Sequence, residues 1–151
     1  MNTKNTPLVN ALVSLGGTIT NAMDDDPEFV PCGRPAAFVM SNVAALAADQ
    51  PAEELAQRVQ ATLGLAEHVS EHHGAKLAPA YEGGISPIKA ELLDSLVELT
   101  GITAASLERG AFDPTVNAYF YRSLASIAGD DAAAEAQLSK LAGIMERARS
   151  L

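Results

Sequence analysis

Between Pro51 and Gly74 the side chains of Ala52, Leu55, Val59, Thr62, Ala66, Val69 and His73 recur in alternating steps of three and four. That spacing puts them along one side of an α-helix and on no single face of a strand, so it limits the fold more than any other feature of the chain. The same rhythm returns in Leu8, Leu12 and Leu15, in Ile88, Leu92, Leu96 and Leu99, in Val116, Phe120, Leu124 and Ile127, and in Ala134, Leu138, Leu141, Met145 and Ala148. Helix-opening residues precede most of these rows: Thr6 with Pro7, Pro35, Pro51, Ser86 with Pro87, Asp113 with Pro114, and Asp130 or Asp131. Glycines close them: Gly16 and Gly17 end the first helix, Gly74 the third, Gly101 the next, Gly110 a short helix from Thr103 to Arg109, and Gly129 the helix that follows. A helix from Pro35 to about Asp49 carries Phe38, Val39, Val43 and Leu46. The run 18–35 is dense in Asp, Pro and Gly and reads as the longest loop, with Phe29 and Val30 pinning its middle to the core; 78–86 reads as a second loop. No segment has the pattern of a strand. The expectation is an all-α fold, one irregular bundle of six or seven helices spanning 1–151 as a single acidic domain.

Composition agrees with that architecture. The 151 residues are 48% hydrophobic and 19% charged, enough apolar side chain for a packed core. Aromatics make up only 5% and Trp is absent, so the core must come from Leu, Val, Ile and Ala between closely spaced helices. A net charge of -9 sets most of the surface against a phosphate backbone, which argues against direct nucleic-acid binding and suits a protein partner with a basic surface. The single cysteine, Cys32, excludes an internal disulfide. No apolar run is long enough for a bilayer, and the stretch from Leu8 to Leu15, broken by Asn10, makes a poor signal peptide, so a cytoplasmic location without a membrane partner is expected.

The most specific string is His68-Val69-Ser70-Glu71-His72. Histidines four apart on a helix project from one side and can share a zinc ion, with the intervening glutamate polarising a bound water. The H-x-x-E-H spacing resembles that of inverted zincin metallopeptidases of the pitrilysin type. The resemblance covers five residues and implies zinc as cofactor, His68 and His72 as ligands, Glu71 as general base and a distal glutamate, for which Glu146 is the candidate. Those peptidases are similar to large, repeated α/β domains, an organisation that this chain does not share. The alternatives are adventitious or structural metal binding and ordinary surface histidines, which are favoured near a helix C-terminus.

Tyr119, Phe120 and Tyr121 form the other unusual string. Successive helical residues point about 100° apart, so with Phe120 on the core stripe Tyr119 and Tyr121 should flank it, their rings over the core edge and their hydroxyls in water. Exposed tyrosines beside Arg122 would serve as anchors for a protein partner. Asp24, Asp26 and Glu28 alternate as calcium ligands sometimes do, but Pro27 and the lack of a turn glycine argue for a solvated charge run. Cys32 has no histidine nearby in sequence to activate it, and neither Gly16-Gly17 nor Gly83-Gly84 has the pattern of a phosphate loop.

These features favour a small interaction module, an adaptor, chaperone or inhibitor of a basic, nucleic-acid-binding partner, that contacts it through Tyr119, Tyr121 and Arg122 or through its acidic surface, without chemistry or cofactor. Two other readings stand beside it: a zinc-dependent hydrolase built on His68, Glu71 and His72, and a helical homo-oligomer paired through 52–73 and 134–148.

Overall fold

Seven α-helices follow one 3-10 turn (Thr3–Asn5) in the computed structural model, which describes residues 3–29, 31 and 33–151: α1 (Thr6–Asp25), α2 (Arg34–Ala45), α3 (Ala52–His73), α4 (Pro87–Glu108), α5 (Pro114–Ser126), α6 (Asp131–Leu138) and α7 (Leu141–Arg149). There is no strand among the described residues, so the all-α bundle expected from the apolar spacing is what forms. No helix is long and apolar enough to cross a membrane among those residues.

The side-chain caps fall where the sequence places them. Ser86 Oγ accepts from the Lys89 amide, Asp113 Oδ1 from the Thr115 amide at 2.8 Å, and Asp130 Oδ1 from the Ala133 amide at 3.0 Å. Each satisfies one of the amides that a helix start leaves without an intrahelical partner. Gly74 ends α3 in the left-handed conformation, φ 63°, which glycine adopts without a Cβ penalty.

Helix α1 lies at the centre. Twelve of its twenty residues are buried, because α3 packs along one flank and α5 along the other. Its polar residues Ser14, Thr18 and Asn21 hold the irregular segment after α3: Ser14 Oγ donates to the Pro79 carbonyl, the Ala78 amide donates to Thr18 Oγ1, and Asn21 Nδ2 donates to the Lys76 carbonyl, all within 3.0 Å. A second layer pairs α2 with α4, and α6 and α7 close the bundle against α4 and α5.

Four boundaries differ from the sequence reading, the simplest being the end of α2, at Ala45 and not near Asp49. Gly16 and Gly17 do not stop α1, which continues to Asp25 and shortens the expected 18–35 loop to the residues between α1 and α2. A Cβ on Gly16 would stand 2.6 Å from Leu124 Cβ and 2.9 Å from the Tyr121 carbonyl; one on Gly17 would stand 2.8 Å from Ala78 Cβ. Both glycines are sites of close approach, not helix ends. Gly101 likewise fails to interrupt α4, whose buried Leu99, Thr100, Thr103 and Ser106 carry one helix across it. The last expected helix instead divides into α6 and α7. The Gln137 carbonyl accepts from Tyr119 Oη at 2.8 Å and from the Lys140 amide at 3.1 Å, so a side chain of α5 enters the ladder where a continuous helix would bond to Leu141. Phe29 packs against the core as expected, whereas Val30 and Cys32 lie outside the described residues.

Candidate functional site

The histidine motif sits on the last turns of α3, where cations complement the negative end of the helix dipole. His68 and His72 are exposed, with ring centroids 5.5 Å apart and planes 12° from parallel; His72 meets His73 edge-on at 5.0 Å, and His73 lies 4.1 Å from the Phe29 ring. Two stacked imidazoles present faces to one another, whereas a shared metal needs their nitrogen lone pairs to converge. Glu71 is exposed beside them. Glu146 belongs to α7, which packs with α4 and α5, while α3 packs on α1. Among the described residues no three His, Cys, Asp or Glu side chains are placed to hold one metal ion.

The tyrosines depart most from expectation. Tyr119 is 4% exposed and Tyr121 0%, so neither ring lies over the core edge and neither hydroxyl reaches water. Tyr119 donates to Gln137 as described, and Tyr121 Oη donates to the Pro31 carbonyl at 3.1 Å; Asn117 Nδ2 donates to the same carbonyl. The placement of Tyr119 and Tyr121 as exposed partner anchors is therefore corrected. Helix α5 is packed by α1, α6 and α7 together, and a helix covered on several sides buries more than one stripe. Desolvation pushes the Tyr119 hydroxyl above the ordinary phenol value, and the neighbouring Ser123 hydroxyl partly offsets that rise. Of the three residues only Arg122 reaches the surface, where Nη1 pairs with Asp24 Oδ1 at 3.1 Å. That pair occupies one of the carboxylates of the alternating acidic run, and Asp26 Oδ1 accepts from the Glu28 amide at 3.2 Å, a local turn contact.

Two features of the surface were not singled out from the sequence. Along the outer side of α3, Glu53, Gln57, Gln60, Gly64, Glu67 and Glu71 follow one another in steps of four and three, all exposed and with no basic residue among them. The row runs about 27 Å at 1.5 Å per residue. Gly64 stands in its middle, and nothing lies within 4 Å of where its Cβ would be. A row of this kind is legible only after the apolar stripe has fixed which side of α3 faces inward. The second feature is a cavity beside α5, where Gln137 and Lys140 join Tyr119 and Arg122 across 18 residues of chain. Its members come from separate elements, and no local pattern announces it. Comparison of the chain with protein-family models, with curated proteins and with solved structures returned no match.

Proposed function

We propose that this chain is an acidic protein-interaction module that docks a basic surface of a protein partner along the outer row of α3. The observation that carries this reading is Gly64. A glycine inside a helix costs roughly 1 kcal/mol relative to alanine, and here no neighbouring atom requires the missing Cβ. A partner backbone approaching the middle of the row would require it. The electrostatics agree: of nineteen acidic residues, Asp24, Asp49 and Asp113 are the ones in ion pairs among the described residues. Glu53, Glu67 and Glu71 are thus unneutralised from within, and Arg58, the one arginine of α3, turns to Gln50, Ser41 and Asn42. Carboxylates in such a row steer a cationic partner and set the register of docking. The reading includes a cytoplasmic location, which rests on composition.

The test uses the partner captured from host lysate and two variants of the module. Gly64→Ala is expected to raise the melting temperature and to weaken the complex, an opposition that a purely structural glycine would not produce. Glu53→Lys combined with Glu67→Lys and Glu71→Lys should weaken it at least tenfold, about 1.4 kcal/mol, while Glu82→Lys with Glu91→Lys, off the row, should leave it intact. Binding that ignores the α3 changes, or that does not weaken as salt is added, overturns the proposal.

A further inference from the structure

Beside α5, between the turn that follows α1 and the α6–α7 corner, lies a cavity of ≈ 340 Å³. Its apolar walls include Met23, Phe29 and Ile144, and its polar groups include Thr115, Arg122, Lys140 and Gln137 beside Tyr119. Two cations converge here in a chain that carries ten against nineteen acids, and no carboxylate lines the cavity. Lys140 has no acidic partner among the described residues. Arg122 gives Nη1 to Asp24, which leaves its other guanidinium donors for a second acceptor. Gln137 adds an uncharged donor and acceptor to the same wall. The residue is 7% exposed and its backbone carbonyl is taken by Tyr119 and Lys140, so the side-chain amide is the part of it that faces a molecule in the cavity. A few polar groups set in an apolar wall fix the orientation of a bound molecule.

We infer that this cavity is a binding site for a small organic anion, an apolar, ring-sized body bearing one carboxylate. The body would occupy the space between Met23, Phe29 and Ile144. The carboxylate would accept from Arg122 and Lys140 at the mouth, within reach of the Gln137 amide. The volume lies at the lower end of the range of about 300–1,000 Å³ for small-molecule sites, so a mono- or bicyclic acid fits better than a nucleotide. The site is separate from the α3 row and does not depend on the reading of that row.

The probe is 1-naphthoate, titrated into the full chain and followed by backbone amide NMR shifts. Saturable shifts confined to the α5, α6–α7 and 26–29 segments are expected, with 1-naphthylmethanol, its neutral counterpart, binding at least tenfold more weakly. Lys140→Gln and Arg122→Gln should each weaken the naphthoate several-fold, and Lys89→Gln, remote from the cavity, should not. Gln137→Met keeps the side-chain length and removes the amide; it should narrow the preference for acid over alcohol even if overall stability changes. No saturation by about 10 mM, tenfold above a millimolar Kd, overturns the assignment. So does equal affinity for acid and alcohol, or binding indifferent to Arg122 and Lys140.

Discussion

The Pro31 carbonyl accepts from two side chains of α5, Asn117 Nδ2 and Tyr121 Oη, and all three groups are buried. Tyr121→Phe leaves the carbonyl one donor and should cost about 1 kcal/mol in urea denaturation. Combining it with Asn117→Ala removes both donors, and the double variant should lose about 1–2 kcal/mol more than the sum of the singles. Additive losses would mean that the two donors do not act on one acceptor. Tyr119 makes a different prediction. Its hydroxyl titrates above the ordinary phenol value because burial disfavours the phenolate, so the native state holds that proton when the unfolded chain has released it. Its contribution is fully present below about pH 10, the unfolded value, and is lost as pH rises through the higher native value. In an alkaline titration followed by tyrosinate absorbance, Tyr119→Phe should remove one group that ionises above the ordinary phenol range or together with unfolding. Neither role could be read from the string Tyr-Phe-Tyr. Helical spacing shows how far apart three side chains point, but whether a second or third direction is also covered depends on how many neighbours the helix acquires.

At the level of the element, one substitution separates two kinds of glycine. Gly16→Ala forces a Cβ into the contact of α1 with Leu124 and the Tyr121 carbonyl, and should destabilise by about 1–3 kcal/mol, read as a lower melting temperature. Gly64→Ala on the open side of α3 should stabilise by up to about 1 kcal/mol in the same measurement. Residue preference treats these positions alike. It sets the extents of α3 and α5 well, since their apolar rows, caps and flanking breakers all agree. It fails at Gly16 and Gly101, where burial of the residues on either side outweighs a propensity penalty of about 1 kcal/mol. The break between α6 and α7 contains no glycine or proline and arises from a hydroxyl eighteen residues earlier, so nothing local could signal it. The histidine string lies within one helix and its approach was legible for that reason, whereas the relation of Glu146 to it depended on how α7 packs.

For the molecule as a whole, a net charge of -9 held by three ion pairs among the described residues means that carboxylates repel across the surface. Adding salt from low to physiological strength should raise the melting temperature by a few degrees, with each kcal/mol worth about 2–4 °C at this chain length. The same salt should loosen a complex made through α3, so free protein and complex respond with opposite signs. A different consequence follows from the central position of α1. The surfaces that cover it, α3 and α5, lie downstream, and α5 is complete only at Ser126. At the usual pace of synthesis, about 5–20 residues per second, roughly 5–20 s pass between the making of α1 and the arrival of its second cover. During that interval the face of α1 that packs on α5 has no companion, and a nascent chain halted before α5 should be more prone to aggregate than the complete one.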